Sequence, residues 1–329
     1  MIAEITPIEE AGRLKIIHLK RYWHKSLLKR NGEIKVTDFQ HEFQLDKTML
    51  FTLGLGLEPT GKYLFQHAPS FDEFEQWIID TAGWPSDEKV NRFNNAIKNK
   101  DKFGSETISR VLDDEQLDFW DKNGYLIIKN AVPKEDCDDT IDAICNFIGI
   151  DKNDSSTWYN NHPARQGIMV QLFQHPAIEK NRNSETIRKV FEQLWNTSAL
   201  WVSADRVGFN PPETSKWKFP GPRLHWDTEL KLPIPFGTQG ILYLADTADN
   251  QGAFSLVPGF QHRIDSWLTS LPTGTNPYQQ NLYELGCIPL AANAGDFIVW
   301  HHALPHGSSP NTSAKPRFVQ YITYDPLGI

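Results

Sequence analysis

The chain has 329 residues, enough for one large domain or a main domain with a smaller companion. Its net charge of −8, with no Lys/Arg block interleaved with aromatics, argues against a nucleic-acid partner, and no apolar run is long enough to cross a bilayer. Three scattered cysteines, Cys137, Cys145 and Cys287, exclude a disulfide framework or a Cys-rich zinc site.

Residues 7–100 read as largely helical. Ile8 to Lys29 carries apolar residues at roughly helical spacing and stops at Asn31-Gly32. Ser70-Phe71-Asp72-Glu73 is a capping box opening a helix through Trp77 and Ile79. Ala82-Gly83-Trp84-Pro85 ends it, and Ser86-Asp87-Glu88 opens another. The polar, Lys-rich stretch from Lys98 to Ser105 is the expected linker, so residues 1–110 are expected as a helical region that packs on a core formed by 111–329. The aromatic and aliphatic content of those helices also offers a surface for oligomerisation. The start, Met1-Ile2-Ala3-Glu4, lacks the basic and apolar stretches of a signal peptide, and few cysteines suit a reducing compartment, so the expected location is the cytoplasm.

After about residue 113 the pattern changes. Asp114 to Lys122 reads as a short helix ended by Asn123-Gly124, followed by a strand at Tyr125 to Ile128. Helices follow at Pro133 to Ile148 and Ile187 to Trp195. Gly167 to Phe173 reads as a strand with Met169 and Gln171 on one face, and Gln166 just outside it. Trp158 to His162 reads as a loop before it. Beyond Leu200 short strands dominate: Leu200 to Phe209, Thr238 to Leu244, Ala253 to Val257, Phe297 to Trp300 and Arg317 to Tyr324. Many short strands separated by Pro, Gly and Asn predict a sandwich or barrel, and hence a mainly β molecule with helices.

One group of residues carries chemistry. His225 and Asp227 stand two apart in Leu224-His225-Trp226-Asp227, so on an extended segment both face one side. His306 follows in Pro305-His306-Gly307-Ser308, and Arg317 lies eleven residues beyond it. Two histidines and a carboxylate hold a divalent iron on one face and leave the opposite positions open for a chelating 2-oxo acid and O2. Arg317, in the apolar strand ending Phe318-Val319-Gln320-Tyr321, is costly to bury unless an anion pairs with it. Each residue also has a plainer reading: His225 packed beside Trp226, Asp227 solvated on a turn, Arg317 at a strand edge. His301 and His302 read most simply as core or surface histidines.

The chain resembles the phytanoyl-CoA dioxygenase family of Fe(II)/2-oxoglutarate-dependent oxygenases over roughly residues 115–327. The resemblance starts at Phe119 to Leu126 and runs through His225-Trp226-Asp227, Asp249 to Phe254, Val257-Pro258-Gly259 and Gly295-Asp296. It ends with His306-Gly307-Ser308 and Arg317. It implies a double-stranded β-helix, a jelly-roll or cupin-like core, with Fe(II) at its mouth held by His225, Asp227 and His306. It implies that Arg317 and Ser308 bind the distal carboxylate of 2-oxoglutarate. Tyr243 sits where relatives often have a co-substrate-contacting tryptophan, Arg206 falls on a strand expected to line the pocket, and Gln171 is a further candidate donor. Two residues, Phe260 and Gln261, intervene where relatives have a histidine soon after Pro-Gly. Halogenating relatives replace the carboxylate with a small residue, so Asp227 favours hydroxylation or desaturation of a small organic substrate. The alternatives are a catalytically silent metal- or ligand-binding jelly roll and a zinc hydrolase. The hydrolase lacks a positioned Glu base and leaves Arg317 without a purpose.

Overall fold

The computed structural model describes residues 5–99 and 107–327. The segment Met1 to Glu4 and most of the expected linker, residues 100–105, lie outside the described residues. The described chain divides into two units. One draws on residues up to 108, on 195–205 and on the end of the chain from 324; the other holds 109–194 and 206–323.

The first unit carries α1 (Leu19–Arg30), α2 (Phe43–Thr52), α3 (Leu57–His67), α4 (Phe71–Ala82) and α5 (Asp87–Lys98). Local sequence explains the last two. Ser70 and Glu73 form the reciprocal capping box and Gly83 ends α4; the Ser86 hydroxyl caps α5. The helix expected from Ile8 begins only at Leu19. Lys15 and His18 adopt left-handed backbone, and side chains from other helices take the free amides. Arg13 and Leu14 N–H donate to the Glu75 carboxylate at 3.2 and 2.9 Å, and Ile17 N–H donates to Asn94 Oδ1 at 3.0 Å. Leu14, Ile16 and Ile17 still reach the core beside Met49, Phe74 and Phe93, so their spacing reports burial and not helix.

This unit also buries a charge cluster. Lys25 is 1% exposed, and its ammonium lies 2.5 Å from Glu42 and 2.8 Å from Asp46. Arg21 grips the other side of Glu42 at 2.7 Å, and His18 Nε2 meets Asp46 at 2.7 Å. Burial alone would raise the Glu42 carboxyl, but hydrogen bonds from Arg21 and Lys25 bring it down to about 2.

The second unit opens with α6 (Asp114–Asn123), β1 (Tyr125–Ile128), α7 (Lys134–Ile148), β2 (Arg165–Gln166), β3 (Met169–Val170), α8 (Pro176–Arg182) and α9 (Glu185–Trp195). Later in the chain come β4 (Leu200–Val202) and β12 (Tyr324–Pro326), which belong to the first unit, and, in the second, β5 (Val207–Asn210), β6 (Thr238–Tyr243), β7 (Phe254–Leu256), α10 (Ile264–Ser270), β8 (Ile288–Pro289), β9 (Phe297–His301), β10 (His306–Ser308) and β11 (Arg317–Tyr321). Seven strands form one antiparallel sheet in the order β1-β9-β6-β11-β5-β3-β2, and β10-β7-β8 form a second. The outer side of β11 is tied to helices: Gln320 donates to the Ile178 carbonyl of α8 at 2.9 Å, and Asn181 bridges Gln320 and Thr140 of α7. Its inner side carries Arg317, Val319 and Tyr321 by strand alternation.

Two corrections follow. The stretches Leu200 to Phe209 and Arg317 to Tyr324, each expected as one strand, are each broken in two. The Ile322 N–H still follows the β11–β6 register to the Gly240 carbonyl at 3.1 Å, and beyond it β12 pairs with β4 in the first unit and not with the large sheet. The mainly β expectation also does not hold: 39% of the chain is helix and 15% strand, because long helices accompany strands of two to six residues. Antiparallel sheets with N-terminal helices describe it better.

Candidate metal centre

His225 lies just outside the strands, but it forms a mutual backbone pair with His306 at the start of β10. His225 N–H donates to the His306 carbonyl at 2.9 Å, and the return bond is 3.0 Å. This pairing brings together two histidines far apart in sequence, with ring centroids 4.8 Å apart. Close approach of the two segments explains Gly307. A Cβ there would come within 2.6 Å of the Arg223 carbonyl oxygen. Trp226 alternates inward between His225 and Asp227. It is buried against Phe260 and Trp267, and its indole N–H donates to the Ala303 carbonyl at 2.8 Å. That anchor leaves both neighbours facing the opposite way.

The three ligand candidates converge. Asp227 Oδ1 lies 3.3 Å from His225 Nε2, and Oδ2 lies 3.3 Å from His306 Nε2. One ligand atom from each lies within 4.8 Å of the others. Each imidazole is oriented from behind. His225 Nδ1 is 2.7 Å from the Arg223 carbonyl, and His306 Nδ1 is 3.0 Å from the Leu304 carbonyl. A carbonyl only accepts, so each Nδ1 carries a proton and each Nε2 faces the centre, where it donates to Asp227 when protonated and can ligate a metal when not. Burial opposes ionisation of Asp227, but hydrogen bonds with His225, His306 and Gln239 hold its carboxyl well below the usual range. Burial likewise works against a charged His225, yet the Asp227 and Arg223 contacts raise its pKa.

Arg317 is 0% exposed, and none of its three guanidinium nitrogens has a hydrogen-bond partner. A buried charge with five unused donors is not a stable resting arrangement without an anion. Ser308, on the same face of β10 as His306, is 5% exposed. Two imidazoles and one carboxylate fit a divalent metal, and an unpaired buried guanidinium fits an anionic carboxylate. His18, Glu42 and Asp46 also come within 4.8 Å of one another, but Lys25 already supplies the cation there.

The family profile of the phytanoyl-CoA dioxygenases matches residues 120–319. The chain belongs to this family of Fe(II)/2-oxoglutarate oxygenases. A Dictyostelium discoideum protein named for the phytanoyl-CoA dioxygenases is 25% identical over 261 residues, covering 64% of this chain and 74% of that one. Among solved structures, the iron-bound EctD from S. alaskensis is 16% identical at a TM-score of 0.48, covering 69% of this chain and 82% of its own. The non-haem α-ketoglutarate-dependent epimerase SnoN of nogalamycin biosynthesis is 14% identical at 0.47, with 64% and 82% covered.

The remaining residues singled out in the sequence lie on the large sheet or beside it. Tyr243 is fully buried. Its hydroxyl donates to the Leu290 carbonyl at 2.9 Å and accepts from Phe254 N–H at 2.8 Å. Burial pushes its pKa up to about 12, against the pull of the Arg317 charge. Arg206 immediately precedes β5, with its guanidinium 5.7 Å from the Phe173 ring. Gln171 lies just beyond β3 and donates to Gln166 at 3.0 Å. His301 Nδ1 accepts from Ala303 N–H at 3.0 Å, and neither His301 nor His302 joins the ligand group.

Two neighbours of the centre were missed in the sequence. Gln239 of β6 donates to Asp227 Oδ2 at 2.7 Å. Trp300, paired with Gln239 across to β9, lies 5.0 Å from the His306 ring. The signal for Gln239 was strand alternation: it shares a face with Ile241 and Tyr243, the latter already singled out.

Proposed function

We propose that this protein is an Fe(II)/2-oxoglutarate-dependent dioxygenase that hydroxylates an unactivated carbon of a small organic molecule. His225, Asp227 and His306 hold the iron, and Arg317 with Ser308 receives the distal carboxylate of 2-oxoglutarate. The observation that carries this reading is the fully buried Arg317 with all three nitrogens unpartnered. When bound, iron and 2-oxoglutarate supply with O2 the oxidising chemistry, coupling decarboxylation of the oxo acid to hydroxylation of a carbon. The chain's own contribution is orientation and shelter. The two backbone carbonyls at 223 and 304 fix which imidazole nitrogen faces the metal. The Trp300 and Phe254 rings, 5.0 and 5.9 Å from His306, keep water from that ligand's flank. A charged anchor in an apolar surround gives the co-substrate one orientation, because a bidentate guanidinium–carboxylate pair has a fixed geometry. Asp227 keeps a carboxylate at the position that halogenating relatives leave to a small residue, which supports hydroxylation.

The test is succinate formation from 2-oxoglutarate with ferrous iron and ascorbate. The wild-type protein is expected to produce it and His306→Ala to produce none, with the fold retained in circular dichroism. Equal turnover by the two proteins would remove His306 from the ligand set, and no turnover by either would favour a silent binding protein.

A further inference from the structure

Each of the three ligand side chains has one polar atom held by a group outside the ligand set; for Asp227 that atom is Oδ2, which also lies 3.3 Å from His306 Nε2. For His225 and His306 the holder is the carbonyl two residues earlier in the chain, Arg223 and Leu304. Those two holders are backbone, so no substitution removes them. Asp227 is different. Its Oδ2 is held at 2.7 Å by a side chain from another strand, the Nε2 of Gln239 on β6. The amide can present only its donor end to an ionised carboxylate, so Asp227 fixes which way Gln239 points. The result is that Gln239 Oε1 lies buried with no hydrogen-bond partner. A buried acceptor left unsatisfied calls for an explanation. Here the explanation is the bond at the other end of the amide.

From this geometry we infer that Gln239 is a positioning residue for Asp227: it ties up one carboxylate oxygen, so that Asp227 offers the metal the other oxygen alone. The inference rests on the triad reading above and adds a residue to it. Without Gln239, the carboxylate loses its hold from outside the ligand group and both oxygens compete for the metal, closing a position needed by co-substrate or O2. The pairing of Gln239 with Trp300 in the β6–β9 ladder holds the amide in place from the strand itself. The holder therefore belongs to the rigid sheet, whereas Asp227 lies outside any strand.

The test is titration of the metal-free full-length protein with Co(II), read as affinity and as the visible absorption spectrum of the bound ion. Partners one shell behind a metal ligand typically change metal affinity by about 10–100-fold when removed. Gln239→Leu is expected to weaken Co(II) binding by about 10-fold or more. It is also expected to shift the absorption bands, as the coordination number changes, while the melting temperature of the metal-free protein stays at the wild-type value. Gln239→Asn, which withdraws the amide by one methylene and keeps its polarity, is expected to do the same and serves if the leucine variant fails to fold. Wild-type affinity and an unchanged spectrum in both variants would overturn the inference while leaving the triad intact. Failure of the wild-type protein itself to bind Co(II) would overturn the triad assignment and this inference with it.

Discussion

Two buried cations in this molecule are treated in opposite ways. Lys25, in the first unit, is 1% exposed and held between Glu42 and Asp46, with Arg21 and His18 closing the cluster. Arg317, in the second unit, is 0% exposed and has no hydrogen-bond partner on any nitrogen. Desolvation penalises both charges. The chain answers that penalty internally for Lys25 and leaves it standing for Arg317. Each unit also holds a group of three potential metal ligands, and among the described residues the His18 group is bound to the Lys25 ammonium whereas the His225 group has no ammonium bonded to it. On the function proposed above, the difference separates a cluster that serves the fold from a charge open to an anionic ligand.

The comparison breaks first at Lys25. Removing one partner of a buried pair leaves the others uncompensated, at about 3–5 kcal/mol. Lys25→Met is therefore expected to lower the denaturation midpoint strongly while leaving 2-oxoglutarate turnover per folded molecule unchanged. Wild-type stability in this variant would show that the cluster is solvated in solution and that the contrast with Arg317 is empty.

A smaller effect is expected from His301. Burial, then the charges of His302 and His262, push its pKa down from 6.5 to about 4. Between those values the unfolded chain binds a proton that the folded chain refuses, so stability falls as pH drops from about 6.5 towards about 4. His301→Asn removes this contribution, and its melting temperature should decline less than that of the wild type over the same window. Parallel profiles would mean that His301 titrates normally. The smallest effect is expected from Arg317→Leu measured without ligand. Because no partner is lost, the melting temperature should stay level or rise. A large drop would reveal a partner for Arg317 within the protein and bring it into line with Lys25.

How far these features were legible in the sequence follows from how local they are. His225 and Asp227 share a face because strand alternation is written in a spacing of two, and the capping box at Ser70 depends on residues three apart. Arg317 stood out because an apolar strand is an expensive place for a charge. Lys25 did not stand out. It sits in a basic run, Lys20 to Arg30, that reads as a solvated helix face, and its partners come from Glu42 and Asp46, far along the chain. Gln239 was hidden for the same reason, since its bond to Asp227 exists only once β6 is placed beside the ligand segment. The helix expected from Ile8 failed because apolar spacing there reflects burial of Leu14, Ile16 and Ile17 in a chain whose amides are satisfied by Glu75 and Asn94. The two broken strands look continuous in sequence because Leu200-Trp201-Val202 and Val207-Gly208-Phe209, like Phe318-Val319 and Ile322-Thr323-Tyr324, carry apolar or strand-favouring residues on both sides of the break.

The most direct measurement is calorimetric binding of 2-oxoglutarate to metal-loaded wild type and to Arg317→Leu, with the metal content of both verified. Breaking a buried hydrogen-bonded charge pair with the co-substrate is worth about 2–5 kcal/mol, or roughly 30- to 5,000-fold in affinity. The account predicts saturable binding to the wild type and a loss of that size in the variant, with metal retained. Equal affinity in the two proteins would contradict it, because the unpartnered guanidinium would then have no part in holding the co-substrate.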